Sequence, residues 1–306
     1  MAIEDILVKS KPKPTWIRAK LPTRRQYRTV QQLLEQQSLH TVCEEAFCPN
    51  ITECWESGTA TFLLMGDVCT RGCRFCDITA GNPRKWLDRE EPRKVAEVIN
   101  NLSLKYVVLT SVDRDDLEDG GAAHLAQCIN TLRELNPDIL VEILIPDFKG
   151  NLASLRTIVE AKPDVIGHNI ETTEELTPKV RDKRASYKQS LFVLKSIKDM
   201  NPHILTKSSI MLGLGENMTQ VHAALQDLRK NKVDIVTFGQ YLQPSRRHLP
   251  VVEYVTPQMF KQWEQIASQM EFLYVVSGPL VRSSYKAGEF YIERYLRGRE
   301  HPPNNT

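Results

Sequence analysis

Six of the seven cysteines fall into two tight triplets, and any fold of this chain has to serve them. Cys43, Cys48 and Cys54 are spaced C-x4-C-x5-C, and Cys69, Cys73 and Cys76 are spaced C-x3-C-x2-C. Disulfides fit poorly. A chain of 306 residues buries enough core to need no staples, and Met1 to Ile6 (MAIEDI) has two acids and no apolar run of signal-peptide length. Structural zinc wants four ligands, usually in C-x2-C pairs. Only Cys73 and Cys76 are so spaced, no histidine lies near the second triplet, and His40 stands three positions before Cys43. Three thiolates do suit a four-iron cluster, with one iron left without a protein ligand. An iron open in that way is free to bind and reduce a substrate. The second triplet therefore points to chemistry, and the first to a second cluster with a different task. Cys128 falls in a helical apolar rhythm with Ala123, Leu125, Ala126, Ile129 and Leu132 and reads as core.

A formal charge of +2 and 41% hydrophobic residues describe an ordinary globular protein. No apolar stretch approaches the length of a membrane span, so no membrane partner is expected. Reduced cysteines without a signal lead to the expectation of a cytoplasmic compartment. One charge asymmetry stands out. Residues 9–28 carry Lys9, Lys11, Lys13, Arg18, Lys20, Arg24, Arg25 and Arg28 and no acid. Pro12, Pro14 and Pro22 argue there for an extended arm rather than a helix. A solvated tail and a clamp for an acidic partner fit it equally. Aromatic interleaving is thin (Trp16, Tyr27), so no nucleic acid is expected.

From residue 60 short apolar runs alternate with amphipathic segments. Strands are expected at Thr61–Met65, Tyr106–Thr110, Leu140–Ile145, Val165–Asn169, Leu205–Met211, Ile235–Phe238 and Leu273–Val276. Helices are expected at Pro92–Leu102, Gly121–Leu135, Asn151–Ala161, Ser186–Met200, Thr219–Lys230 and Pro257–Gln269. Regular βα alternation argues for an α/β fold with a parallel sheet, either doubly wound or a barrel. A barrel or partial barrel puts reactive groups on loops after the strand carboxyl ends. The Cys69–Cys76 loop follows the first strand. Ser111 to Asp116, Asn169 to Glu171 and Gly213 to Glu216 follow others in the same way.

With Phe75 just before Cys76, the C-x3-C-x2-C after the first strand resembles the radical S-adenosylmethionine superfamily. The upstream Cys43-EEAF-Cys48-PNITE-Cys54 narrows the resemblance to the lipoyl synthase family. TSVDRDDLEDGGA (110–122), HNIET (168–172), MLGLGE (211–216), GQYLQPS (239–245) and VRSSY (281–285) are similar to that family as well. The resemblance covers roughly residues 40–290 and implies a partial (β/α)6 TIM-like barrel with N-terminal and C-terminal extensions. The chain divides accordingly into 1–57, with the arm and the first triplet, 58–277, the barrel, and 278–306, closing over the first triplet. The implied reaction inserts two sulfur atoms at the sixth and eighth carbons of an octanoyl chain on a lysine of a lipoyl domain. Two S-adenosylmethionines are consumed per lipoyl group.

The chemistry explains the residues. Unactivated C–H bonds yield to no side-chain acid or base at neutral pH, so a cofactor has to supply a radical. By the resemblance, Cys69, Cys73 and Cys76 hold a [4Fe-4S] cluster whose open iron chelates the methionine end of S-adenosylmethionine, and one electron releases the 5′-deoxyadenosyl radical. Phe75 is either an adenine contact or a structural aromatic. Gly213 and Gly215 allow close backbone approach to a planar ring. Asn169 and Glu171 stand where ribose hydroxyls need partners, or cap a strand end. Asp113 to Asp116 position the methionine end or form a turn.

The same resemblance implies that Cys43, Cys48 and Cys54 hold an auxiliary [4Fe-4S] cluster, which in the family gives up its sulfur. Its fourth ligand matches Ser284, with Ser283 as the neighbour that spacing does not separate. Oxygen is a harder ligand than thiolate and makes that corner easier to open. Implied partners are octanoylated lipoyl domains of 2-oxoacid dehydrogenases and the glycine cleavage H protein, a ferredoxin- or flavodoxin-type electron donor, and an iron–sulfur carrier protein. A biotin-synthase-like sulfur inserter acting on a free small molecule is the alternative, and the extra triplet argues against it. A non-enzymatic iron–sulfur carrier needs neither a βα barrel nor polar strand ends.

Overall fold

A computed structural model describes residues 12–18, 25–46, 48–56, 61–102, 104–284, 295, 296 and 298. The elements run α1 (Arg25–Gln37), β1 (His40–Thr41), α2 (Val42–Glu45), α3 (Ile51–Glu56), β2 (Thr61–Leu64), β3 (Val68–Cys69) and β4 (Thr79–Ala80). Then follow α4 (Glu91–Asn101), β5 (Tyr106–Ser111), α5 (Ala122–Leu135), β6 (Leu140–Leu144), α6 (Leu152–Glu160), β7 (Val165–Gly167), α7 (Thr177–Val180) and α8 (Tyr187–Met200). The chain continues with β8 (Leu205–Leu212), α9 (Met218–Lys230), β9 (Ile235–Gln240), α10 (Pro257–Gln269) and β10 (Tyr274–Gly278).

The main sheet has the order β1-β2-β5-β6-β7-β8-β9-β10. Only β1 is antiparallel; the other neighbours pair parallel in sequence order, the mark of repeated βα crossovers. Six βα units and one further strand, β10, therefore make a partial barrel that stays open among the described residues. The local causes are ordinary. The side chains of Asn151, Ser186, Asn217 and Thr256 cap the starts of α6, α8, α9 and α10, Asn217 in a reciprocal capping box with Gln220.

Alternation along the strands sorts residues between two faces. The outer face of the sheet packs Phe62, Val107, Leu109, Val141, Ile143 and Ile166 against Ile99, Leu125, Ile129, Leu155 and Val193 of the helices. On the inner face Tyr106, Val108, Leu140, Val165, Leu205 and Ile235 form an apolar plug with Leu296. Above the plug lies a buried polar layer, in which Glu142 accepts from Tyr106 Oη at 2.6 Å and from Lys207 Nζ at 2.7 Å. Above that layer a cavity opens at the strand carboxyl ends.

Two points depart from the sequence reading. The arm is not extended to its end: Arg25 to Arg28 open α1, because Pro12, Pro14 and Pro22 all precede the helix and cannot break it. Lys9, Lys11, Lys20, Pro22 and Arg24 lie outside the described residues, as does Tyr285. Cys43 and Cys54 sit on two short helices, α2 and α3, that alternation does not reveal, and Cys48 lies in the turn between them.

Candidate active site

The second triplet occupies a loop between β3 and β4. These two strands pair in parallel and close the loop at its base, where Gly81 N–H donates to the Cys69 carbonyl at 2.8 Å. Main-chain donors point at the sulfurs. Cys69 Sγ accepts from Arg71 N at 3.4 Å and Asp113 N at 3.3 Å, and Cys73 Sγ accepts from Asp182 N at 3.3 Å. Burial pushes the thiols of Cys69 and Cys73 up to about 11 and that of Cys76 to about 12, the last raised further by Cys73 and Cys69 beside it. Three convergent half-buried thiols ionise together only if a positive centre sits among them, so the donor set fits an iron–sulfur cluster.

One residue of this loop anchors it to the barrel. Arg71 is buried, yet its guanidinium forks onto Asp147 at 2.8 and 2.6 Å and onto Asp115 at 2.9 and 3.0 Å. Asp113 stands 3.3 Å away. Burial works against both Arg71 and Asp147, and their pairing overrides it: the Asp147 carboxyl is held at about 2. Asp147 also accepts from Gln189 Nε2 at 2.5 Å. The loop is thus bolted to the ends of β5 and β6 and to α8.

A cavity of about 550 Å³ joins most of the expected residues. Cys69, Cys73, Phe75, Cys76, Asn169, Glu171, Ser283 and Ser284 all line it. Inner-face residues of β5, β6, β8 and β9 complete the wall, among them Thr110, Glu142, Ser209 and Gly239. Glu171 holds a left-handed backbone (φ 66), and Asn169 Nδ2 donates to its carboxylate at 3.1 Å. Burial pushes the Glu171 carboxyl up, with Arg181 and Asn169 opposing. Of the four residues Asp113 to Asp116, only Asp113 lines the cavity; its carboxyl is raised by burial to about 6 against the pull of Arg71. Arg114 and Asp116 pair with one another at 2.8 Å. In the cavity wall, His168 is wedged between the Ile145 carbonyl and Ser190 Oγ, each at 2.9 Å, and burial beside Arg181 lowers it to about 4.

Gly213 and Gly215 do not line the cavity. Their left-handed φ values, 100° and 107°, serve a turn in which the Glu216 carboxylate accepts from Gly213 N and Leu214 N. A Cβ on Gly213 would lie 2.3 Å from Gln240 Nε2, so a packed side chain, rather than a ligand, demands that glycine.

The first triplet lies beside the cavity rather than in its wall, where Val42, Ala46 and Pro49 stand instead. Cys43 is buried, its thiol raised to about 11 by burial and by Cys48 nearby. Cys43 also neighbours Trp55, whose buried indole N–H points at the thiol and opposes the effect of burial. Clustered thiols with an indole N–H aimed at their sulfur fit a bound group that keeps those sulfurs as acceptors. The far end of the chain meets this segment: Asn50 Nδ2 donates to the Leu280 carbonyl at 2.6 Å, and half-buried Arg282 faces Cys48. Gly239 makes room for that return, since a Cβ there would lie 2.1 Å from the Val281 carbonyl. Arg71, Asp147, Asp182, Arg181 and the Asn50–Leu280 clasp were not foreseen. The Arg71–Asp147, Gly72–Asp182 and Asn50–Leu280 contacts join positions 76, 110 and 230 apart, where periodicity and spacing carry no signal.

A profile of the Radical SAM superfamily matches residues 63–228. The chain is 53% identical to "Lipoyl synthase, mitochondrial" of Culex quinquefasciatus over 94% of its own length and 77% of the relative's. The same figures hold for "Lipoyl synthase, mitochondrial" of Schizosaccharomyces japonicus. Among solved structures, a crystal structure of methylornithine synthase superposes with a TM-score of 0.54 at 13% identity, covering 87% of this chain and 82% of that one. That likeness speaks for the fold. The relatives' names correct one expectation. They point to mitochondria and not to the cytoplasm, because reduced cysteines report the redox state of a compartment and not its address.

Proposed function

The chain belongs to the lipoyl synthase family of the radical S-adenosylmethionine superfamily, and on that premise we propose which of its residues carry the sulfur-inserting reaction of this enzyme family. Cys69, Cys73 and Cys76 hold the [4Fe-4S] cluster that works with S-adenosylmethionine. Together these groups supply a radical able to take hydrogen from an unactivated C–H bond. Asn169 and Glu171 hydrogen-bond the ribose and Phe75 packs on the adenine. Cys43, Cys48 and Cys54, with Ser284, hold the second [4Fe-4S] group, the source of sulfur for carbons six and eight of the octanoyl chain.

The observation that carries this reading is the convergence, on one cavity, of the second triplet, the polar ends of β5 to β8 and the serine segment. The Asn50–Leu280 clasp supports it by bringing the first triplet to the same rim. The protein's own contribution is geometry. It orients the thiolates with main-chain donors, lines the acyl path with Val108, Leu144 and Met211, and excludes water behind the buried Glu142–Lys207 layer. Units 1–57, 58–277 and 278–306 then act as sulfur-source platform, radical barrel and closing segment. Octanoylated lipoyl domains of 2-oxoacid dehydrogenases and the glycine cleavage H protein are the proposed substrates. A ferredoxin- or flavodoxin-type protein is the donor, and an iron–sulfur carrier restores the second group. The exposed cations Lys13, Arg18 and Arg28 serve as the clamp for the acidic substrate, and Lys13 also lines the cavity.

Anaerobic turnover of an octanoyl-lysine peptide with dithionite and S-adenosylmethionine, read by mass, tests the reading. Cys73→Ala is expected to end 5′-deoxyadenosine release. Cys48→Ala is expected to keep that release and attach no sulfur. Thiolated product from Cys48→Ala without an added sulfur source defeats the assignment.

A further inference from the structure

The cysteine loop has two sides. Its inner side lines the cavity, whereas Gly72 and Arg74, which flank Cys73, are exposed on its outer side and take no part in the cavity wall. A collar of cations surrounds that outer side. Arg74 lies on α7, its N–H donating to the Val180 carbonyl at 3.0 Å and its guanidinium to the Lys179 carbonyl at 3.2 Å. Lys179 and Lys183 are exposed beside it. Arg184 reaches back to the Thr70 carbonyl at 2.7 Å. Lys149, with 59% of its side chain exposed, donates to the Asp115 carbonyl at 2.9 Å.

The carboxylates within the collar are turned inward. Asp182 accepts from Gly72 N–H at 2.9 Å and pairs with Arg184 at 2.8 Å. Asp115 is shared between Arg71 and Arg184, at 2.9 and 3.2 Å. The charge offered to a partner is therefore positive, over the thinnest part of the loop, where Gly72 contributes no side chain.

We propose that this collar is the docking surface for an acidic one-electron carrier protein. The inference rests on the reading that Cys69, Cys73 and Cys76 hold a cluster. That cluster has to gain one electron, and the carrier to lose one, for each sulfonium cleaved. A carrier seated on Gly72 and Arg74 stands one peptide unit from Cys73. An acylated protein substrate seated there would face the side of the loop that does not open into the cavity. The two partners therefore use different faces, and reduction does not require the substrate to leave.

The test is a binding measurement on the reconstituted full chain, so it does not depend on turnover. The probe is an acidic plant-type [2Fe–2S] ferredoxin, titrated between roughly 0.01 and 0.15 M salt, where the screening length contracts from about 30 to about 8 Å. Lys179→Glu with Lys183→Glu is expected to weaken binding about ten-fold at the lower salt and to flatten the salt dependence, as rim charges do. Lys230→Glu with Lys232→Glu, at the last residue of α9 and in the exposed turn after it, is expected to leave both unchanged. Far-UV circular dichroism checks that each variant is folded. Equal affinity of both double variants for the ferredoxin overturns the proposal. So does a loss of affinity for an octanoylated lipoyl domain in place of the ferredoxin. Sulfur insertion by the dithionite-driven enzyme is a separate result, and its failure would count against the site assignment instead.

Discussion

Arg71→Met removes the guanidinium that bolts the cysteine loop to the barrel while keeping most of the side chain's volume. Asp147 then loses bonds of 2.8 and 2.6 Å and keeps the Lys149 N–H and the Gln189 amide. Holding this carboxyl at about 2 instead of 3.8 is worth about 2.5 kcal/mol at about 1.4 kcal/mol per pH unit. Stripping one partner from a buried pair costs about 3–5 kcal/mol. A loss of about 3 kcal/mol is therefore expected, a large part of the roughly 5–15 kcal/mol that holds a protein folded. The sign follows from the depressed carboxyl. In the parent its contribution is full above 3.8 and is lost as pH falls through about 2. In the variant, burial without the guanidinium raises Asp147, so the penalty grows with pH until the group would ionise. Urea unfolding followed by tryptophan fluorescence, with a chelator present, measures it. The gap is expected to be about 3 kcal/mol near neutral pH and to shrink toward about pH 3. A gap below about 1 kcal/mol near neutrality, the scale of an ordinary hydrogen bond, or one of equal size at both pH values, would refute the bolt.

Three further outcomes follow from particular contacts. His168, lowered from 6.5 to about 4 by burial, is neutral when folded, so stability is full above 6.5 and falls by about 3 kcal/mol as pH drops toward 4. His168→Gln is expected to flatten that slope in thermal melts, and an unchanged slope would assign it elsewhere. Asn50→Leu removes the 2.6 Å bond to Leu280; about 1 kcal/mol of stability and faster amide exchange at Val281 are expected, and unaltered exchange would deny the clasp. Ser284→Ala is expected to lose sulfur insertion and keep S-adenosylmethionine cleavage, with Ser283→Ala milder; the reverse order in product mass would move the ligand to Ser283.

What could be read from the sequence is what depends on neighbours along the chain. Strands buried on both faces announced themselves as the runs Tyr106–Thr110 and Ile235–Phe238, each within two residues of its observed end, and the helix starts expected at Asn151 and Pro257 fall within one residue of those of α6 and α10. The convergence of Asn169, Glu171 and the cysteine loop followed from strand polarity alone. Gly213 misled because a glycine gives the same signal whether a ring or Gln240 approaches it. Arg71 was illegible for a different reason. Its partners Asp115 and Asp147 stand 44 and 76 positions away, and an isolated charge in a loop looks solvated until the fold buries it. The early helix α1 was obscured by prolines that end just before it.

The two triplets differ most in how they are held. The second is fixed by a buried guanidinium, by main-chain donors from three segments and by the β3–β4 ladder, none of which can give without disturbing β5, β6 and α8. The first is carried by α2 and α3, four and six residues long, and by the turn between them, and meets the far end of the chain through the Asn50 side chain and Arg282. Helices that short have little stability of their own, so most of what orders them comes from packing around Trp55 and Leu34 and from whatever the cysteines bind. A centre that must survive every turnover belongs in the first kind of setting. One that must be taken apart and rebuilt belongs in the second, where the thiols can part without unseating the barrel. The contrast in anchoring thus supports the proposed division of labour: radical generation at Cys69, Cys73 and Cys76, and sulfur supply at Cys43, Cys48 and Cys54.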